Sequence, residues 1–161
     1  MKKVLAVICA LVLFSGVSFA ANPSTVTATA VIVAPLEILS VTNLHFGTMI
    51  SPVAASTATL AATASPTPSI TGGMTHLGGH QGGVFTIKGN VSTPVNIALS
   101  KTTLSLISGA NNMPATISLS STSPTLNGTG DATVYIGGVL NVGVTQAPGT
   151  YTDSFTVTVS Y

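Results

Sequence analysis

The sequence has very few charged residues, which limits the kinds of partner it can bind. Only 4% of its 161 residues are charged, and arginine does not occur at all. The lysines are few and scattered, so no basic patch can form to neutralise the phosphates of a nucleic acid. We therefore exclude nucleic acid as a partner. The charged residues are Lys2, Lys3, Lys88, Lys101, Glu37, Asp131 and Asp153.

The sequence also has one cysteine, Cys9, and no tryptophan. Because Cys9 lies in the N-terminal leader described below, the rest of the chain has no thiol for a disulfide, a zinc ribbon or a cysteine nucleophile. The stability of the domain must then come from a packed core and from hydrogen bonds between strands. The lack of tryptophan leaves little aromatic surface for stacking on sugars.

Apolar residues are abundant, at 45% of the chain with a mean hydropathy of +0.64, which excludes a disordered protein. The polar surface must come from hydroxyl groups, because the chain has 18 serines and 25 threonines. Threonine also favours β-strands.

Residues 1–20 have the features of a secretory signal peptide. Lys2 and Lys3 precede an apolar run from Val4 to Phe14, and small residues lie at the −3 and −1 positions of a cleavage site after Ala20. A membrane anchor is the alternative, but the run is shorter than the roughly 20 residues that a span needs. We predict export through the inner membrane to the periplasm, cell surface or medium, and no membrane span in the mature chain.

Residues 21–161 are predicted to form a single all-β domain. The last strand shows the clearest period-two alternation, with Phe155, Val157, Val159 and Tyr161 on one face. Similar runs lie near residues 95–99, 104–106, 117–119 and 134–136. Residues 84–88 and 139–144 are less regular but rich in β-forming residues, and residues 36–41 are predicted to be the strand that follows the N-terminal segment. Turn signals lie between them, at 108–112, 127–131, 137–138 and 147–149. This spacing favours an immunoglobulin-like Greek-key sandwich, although a barrel stays open. Residues 51–69 and 72–83 are predicted to be long loops or weak edge strands.

The mature N-terminus, residues 21–34, is predicted to be a strand extension. Within 25–33, Val26, Ala28, Ala30 and Ile32 alternate with polar residues before Pro35 ends the run. No hairpin turn ties this strand to the next one, so its partner is not specified locally. It could complete its own sandwich, or it could enter a groove in a neighbouring copy as a donor strand.

Several blocks resemble the bacterial exported family called domain of unknown function 4402. They are Pro35–Ile38, Leu44–Gly47, Phe85–Gly89, Ile136–Leu140 and, most specific of all, Pro148–Tyr161. The ending and the Phe46-Gly47 block also resemble the spore-coat-U group of archaic chaperone–usher pilins. The resemblance implies an Ig-like sandwich with one strand missing and an N-terminal donor strand. It also implies a C-terminal strand, with Phe155, Val157, Val159 and Tyr161, that a periplasmic chaperone grips.

The candidates for chemistry are weak. His76 and His80 have the i, i+4 spacing of metal ligands on a helix, but six glycines in 72–83 argue against a helix there. His45 reads as a partly buried histidine with a backbone partner. Asp131 and Asp153 read as solvated turn and strand-end residues rather than a glycosidase pair. No nucleophile elbow occurs. We predict no catalytic, cofactor-binding or metal site, and no enzyme activity.

Tyr151 could make the corner hydrogen bond of Ig-like domains, or it could be an ordinary half-buried tyrosine. Two functions are carried forward. The first is an exported structural subunit, pilin-like or fimbrial, that joins copies of itself or related subunits by strand complementation. The second is a self-contained secreted β-domain that binds a glycan or a surface partner through its Gly-rich loop.

Overall fold

The structure is a computed structural model that describes residues 23–161. The predicted signal peptide and Cys9 lie outside the described residues. Residues 32–161 form one compact unit, to which residues 23–31 do not belong. Within the described range no helix is long and apolar enough to cross a bilayer.

Residues 32–161 contain eleven strands, all of them paired antiparallel. The predicted all-β sandwich is confirmed. The pairing follows from the alternation in sequence, because each strand has one apolar side to bury. The strands are β1 (Glu37–Thr42), β2 (Thr48–Met49), β3 (Ser56–Leu60), β4 (Ser69–Ile70), β5 (His76–Gly78), β6 (Gly83–Lys88), β7 (Asn96–Leu99), β8 (Thr103–Ser108), β9 (Asn111–Leu119), β10 (Asp131–Val142) and β11 (Val157–Ser160).

The long strand β10 organises the main sheet. Its first half pairs with β6 and its second half with β3, while β9 pairs with its middle on the opposite edge. The sheet order is β1-β6-β10-β3-β4, and β8 pairs with β9. Strands β7 and β11 form a second sheet, and β2 and β5 a short ribbon. The sandwich therefore has one wide layer and one narrow layer.

The core lies between these layers. Phe85 and Ile87 of β6, Val134 of β10 and Val95 beside β7 are 1% exposed or less. The side chains alternate strictly along β6, in which every second residue is buried. Burying a side chain of this size contributes about 1.5–3 kcal/mol, so these residues are a main source of stability.

Two local predictions are wrong. Residues 51–69, predicted to be a long loop or weak edge strands, contain the interior strand β3, which alternates buried and half-buried residues and pairs with the second half of β10 and with β4. The pair Gly137-Gly138 is not a turn but lies inside β10. A Cβ atom on Gly137 would collide with the backbone of residues 60–62, so glycine is needed where β3 leaves the sheet. The two glycines therefore reflect the close approach of a neighbouring backbone rather than a bend in the chain.

The strand predicted over residues 25–33 is also absent from this chain. The segment from 23 to 36 contains no regular secondary structure, and its side chains up to Pro35 are exposed. Val26 is 89% exposed and Ile32 is 95% exposed. The physical reason is that a strand needs a neighbouring edge, and none of the described residues supplies backbone pairing to this segment.

Candidate functional site

A groove of about 920 Å³ opens along the apolar interior of the 32–161 unit. Its floor is made of buried side chains that belong to β6, β8, β9 and β10. They are Phe85, Leu104, Met113, Ile136, Leu140 and Val142. Because core side chains lie at its base, this groove is the candidate binding surface of the domain.

Strand β1 forms one wall, and its core-facing side is uncovered. Ile38 pairs with Ile87 and Val41 pairs with Phe85, so both side chains lie on the same face of the sheet as the core. A β-bulge at Leu39 keeps these two residues on that face although they are three positions apart. Their partners are buried, yet Ile38 is 39% exposed and Val41 is 67% exposed. The opposite layer therefore does not reach over β1.

Strand β11 and the segment that precedes it form the facing wall. Phe155 and Val157 line the groove and are half-buried. Val159 packs half-buried against the core without lining the groove. Among the described residues, β11 pairs only with β7. Likewise, β1 pairs only with β6. Both walls thus have a free strand edge, with unpaired backbone donors and acceptors.

Tyr161 differs from the other three predicted residues of the last strand. It follows β11, is 44% exposed and does not line the groove. Its hydroxyl donates to the carbonyl oxygen of Ala34 and accepts a hydrogen bond from the amide of Asn90 at 2.8 Å. Tyr161 therefore fixes the base of the N-terminal segment to the end of the domain.

Asp153 holds the groove wall before β11 in place. Its carboxylate accepts hydrogen bonds from the Lys101 ammonium at 2.7 and 2.8 Å and from the Ser105 amide at 3.0 Å. The Lys101 hydrogen bond, followed by those from the amides of Ser154 and Ser105, lowers the pKa of Asp153. The adjacent residue Thr152 forms a β-bridge with Ile107 of β8. The wall is therefore tied to β8 at two points.

Tyr151 makes the corner-type bond that the sequence left open. Its hydroxyl donates to the carbonyl oxygen of Ala147 at 2.8 Å and accepts a hydrogen bond from the side-chain Nε2 of Gln146 at 2.8 Å. These bonds close the loop from 146 to 151, which lines the same side of the groove.

The third wall is made of residues 44–50, which are hydrogen-bonded to residues 74–81 on the side away from the lining. We call the two segments together the histidine flap. It contains the ribbon of β2 and β5 and all three histidines. Its own residues Met74 and Phe46 are buried. Of the two alternatives predicted for the Gly-rich segment 72–83, a long loop or a weak edge strand, part of it is therefore the short strand β5. The rings of His76 and His80 are 5.3 Å apart.

Asp131 belongs to a different part of the fold. It pairs with Lys88 at 3.0 Å, and hydrogen bonds from Thr129 and Lys88 lower its pKa. Asp131 and Asp153 are thus bound to different lysines. Within residues 23–161, no group of three or more His, Cys, Asp or Glu side chains could hold a metal ion.

The N-terminal residues Val26, Ala28, Ala30 and Ile32 are all exposed. Sequence reasoning missed the contribution of β1. Ile38 and Val41 are three positions apart, so a regular strand would place them on opposite faces. A prediction that both face the core would have required the bulge at Leu39 to be foreseen.

Comparison with known families gives one match. A family model described as "Domain of unknown function (DUF4402)" matches residues 36–161, which covers nearly all of the 32–161 unit. The resemblance to DUF4402 is thereby confirmed, and the spore-coat-U resemblance stays a prediction. No curated protein matches this chain. No solved structure matches it either.

Proposed function

The chain belongs to the DUF4402 family, and we propose that it is an exported structural subunit that assembles by strand complementation. In this proposal, residues 25–33 of one copy lie in the groove of a second copy. The observation that carries the proposal is the uncovered core face of β1, where Ile38 and Val41 are solvent-exposed beside buried Phe85 and Ile87.

The N-terminal segment has the properties that such a groove needs. It carries four alternating apolar side chains, Val26, Ala28, Ala30 and Ile32, all of them exposed. Nine residues in extended form span about 30 Å, the length of a long strand. The two small alanines suit the middle of a narrow groove. An unpaired segment with one apolar side and an uncovered core face, both on the same chain, are complementary surfaces.

Burial provides the driving force. Each methylene group removed from water contributes about 0.8 kcal/mol, before the cost of ordering the segment. The free edges of β1 and β11 would add backbone hydrogen bonds, the usual source of affinity in strand addition. Repeated addition through a head-to-tail contact of this kind gives an open filament, unless the rotation between copies closes a ring.

Export and a chaperone are part of the same proposal. The signal-like residues 1–20 would direct the chain across the inner membrane, and a periplasmic chaperone would shield the groove until a donor arrives. The proposed mature protein is a pilin-like or fimbrial component at the cell surface, without enzyme activity.

Two variants of the exported chain test the proposal by separating donor from acceptor. Val26→Asp with Ile32→Asp places charges in the donor segment, and Val41→Asp places a charge in the groove. Each variant alone should stay monomeric by size-exclusion chromatography with light scattering. A mixture should form dimers only, because one variant retains a working groove and the other a working donor segment.

Matched controls exclude general effects of added charge. Leu39→Asp changes the bulged residue of β1, which is 58% exposed and does not line the groove. Thr27→Asp with Thr29→Asp changes the polar side of the donor segment. Both controls should still form oligomers larger than dimers. If the unaltered chain stays monomeric at high concentration, strand complementation in trans is wrong, and the self-contained binding domain becomes the better account.

A further inference from the structure

We infer that residues 34–36, which we call the joint, are held by Tyr161 and Gly89 in a way that keeps the donor segment out of the groove of its own chain. The groove is thereby left for the segment of a second copy. The inference rests on the proposed function, because it concerns which of two grooves residues 25–33 enter. It is drawn from contacts inside the 32–161 unit, at the end where β1 begins and β11 ends.

A donor segment on a short linker competes strongly for the groove of its own chain. The effective concentration of a segment tethered by a short flexible linker is in the millimolar range. The segment of a second copy has only the concentration of the dissolved protein, which is on the order of a thousandfold lower in a micromolar solution. A subunit that assembles in trans therefore needs a structural feature that hinders closure in cis.

Tyr161 holds the joint at one end of the groove. Its hydroxyl donates a hydrogen bond to the carbonyl oxygen of Ala34 and accepts one from the Asn90 amide at 2.8 Å. Because Tyr161 follows β11 and Ala34 precedes β1, these bonds connect the ends of two groove walls. The lining of the groove begins on β1 only at Ile38 and ends on β11 at Val157. The bonded joint therefore lies just beyond this end of the lining.

Gly89 provides the space that the joint occupies. Its φ does not lie in the left-handed region, so its backbone conformation does not require glycine. A Cβ atom there would lie 2.6 Å from Leu36 Cδ2, 2.9 Å from Leu126 Cδ1 and 2.9 Å from the Tyr161 hydroxyl. Leu36 is half-buried against the core, and Leu126 is 1% exposed. Leu36 and the Tyr161 hydroxyl thus fill the place of the missing side chain.

The short joint also gives a hairpin in cis the wrong face. A tight turn with residues 35–36 at its centre would place Val33 opposite Ile38 along the free edge of β1. Opposite residues of antiparallel strands lie on the same side of a sheet, and Ile38 lines the groove. Every second residue from Val33 backwards, including Thr29 and Thr27, would then face the groove. The alternating apolar side of the donor segment would face water.

A three-residue loop would present the correct face, but the joint is unsuited to it. Such a loop usually ends with a residue in the left-handed region, which here would be Leu36. Leucine adopts that conformation far less readily than glycine or asparagine. A longer loop with the correct face would take Ile32 out of the groove. A segment from a second copy meets none of these obstacles, because its own joint stays as it is.

A longer linker tests the inference on the exported chain. Five glycine and serine residues added between Val33 and Ala34 leave the Tyr161 bonds in place but let the segment reach its own groove with the correct face. The unaltered chain should form oligomers, and the chain with the added linker should be monomeric by light scattering at the same concentration. The same five residues added between Pro23 and Ser24 are the matched control and should leave the oligomers unchanged.

A peptide of residues 23–34 reports whether the groove of those monomers is filled. It should bind them about tenfold or more weakly than it binds the chain with Val26→Asp and Ile32→Asp, since a tethered segment competes at high effective concentration. Adding these two substitutions to the chain with the longer linker should restore peptide binding. Monomers that bind the peptide without these substitutions would overturn the inference, as would oligomers that persist despite the longer linker.

Tyr161→Phe tests the positioning role of the hydroxyl while keeping the ring. The share of peptide-resistant monomer should rise about tenfold, the effect of losing roughly one net hydrogen bond. Hydrogen exchange at the Asn90 amide should become faster in the same chain, because that amide donates to the Tyr161 hydroxyl. Tyr135→Phe removes a hydroxyl from β10 instead and should change neither measurement.

Two outcomes for Tyr161→Phe would overturn its positioning role. One is faster exchange at Asn90 with an unchanged share of peptide-resistant monomer. The other is a monomer that binds the peptide freely, because its groove is then empty and the hydroxyl merely stabilises the domain.

The peptide also separates failure of this inference from failure of the proposed function. If it does not bind the chain with Val26→Asp and Ile32→Asp, the groove accepts no such strand, and the proposed function fails. If it binds that chain while the unaltered chain is a peptide-resistant monomer, the groove accepts the strand but the joint does not exclude closure in cis. The inference alone is then wrong about the joint.

Discussion

At the scale of single residues, the rarity of charge makes each ion pair easy to assign. Asp131 and Asp153 are each bound to one lysine, and hydrogen bonds lower the pKa of both carboxyl groups. Both pairs are partly exposed, so each adds little stability by attraction alone. Asp153 has a larger role, because it also accepts hydrogen bonds from the Ser105 and Ser154 amides and so positions the groove wall.

We expect Asp153→Asn to lower the melting temperature by a few degrees at pH 7 and to flatten its dependence on pH. Because the pKa of Asp153 is lower in the folded chain than its ordinary value of 3.8, its stabilisation is present above that value. It is lost as the pH falls through the folded-state pKa. Thermal melts between pH 7 and pH 2 measure this. Parallel curves for variant and unaltered chain would contradict it.

At the scale of elements, β10 shows why a sequence pattern can mislead. The pair Gly137-Gly138 predicts a turn, yet both residues are buried inside a strand that borders three others. Two strands approach the backbone here so closely that no side chain fits. A Gly-Gly pair shows that the backbone needs glycine at these positions. It does not show whether the reason is a tight turn or the close approach of a neighbouring strand.

We expect Gly137→Ala to destabilise the domain by about 1–3 kcal/mol, the usual cost of overpacking a core. Its methyl group would meet the backbone atoms of Leu60, Ala61 and Ala62. Urea denaturation measures the change. Gly128→Ala is the matched control, since nothing lies within 4 Å of a methyl group there and its free energy of unfolding should change little. Equal stability of the two variants would contradict the crowding argument.

The edge strands β1 and β11 raise a different point about elements. Natural proteins usually protect an edge strand with charges, prolines or a covering loop. β1 instead presents Ile38 and Val41 toward an open groove, and its charged residue Glu37 lies only at its beginning. An edge of this kind is a liability in a monomer and an advantage in an assembly.

At the scale of the whole molecule, occupation of the groove should appear as stability. A ligand that binds only the folded chain adds about 2.7 kcal/mol when its concentration is 100 times its dissociation constant. For a domain of this size that corresponds to a rise in melting temperature of several degrees.

We therefore expect the peptide of residues 23–34 to raise the melting temperature of the chain that carries Val26→Asp and Ile32→Asp. The rise should grow with peptide concentration and be measurable by calorimetry at pH 7.5. The same peptide with aspartate at positions 26 and 32 is the control and should give no rise. A rise with both peptides would indicate nonspecific apolar binding instead.

The sequence by itself determined the local features of this protein. Period-two alternation specified β7, β8, β9, β11 and the first part of β10, because burial of one strand face is a local property. The blocks between residues 35 and 161 also carried the resemblance that the DUF4402 match bears out. The apolar alternation from Val26 to Ile32 can also be read from the sequence alone.

Only the tertiary structure decided which faces stay uncovered. β3 was hidden among residues with a loop-like composition, because its burial depends on pairing with a strand about 80 positions later. The groove was hidden for the same reason, since its walls come from β1, the histidine flap and the segment before β11. Exposure of Ile38 and Val41 is a property of how far the opposite layer extends, and no local pattern encodes that distance.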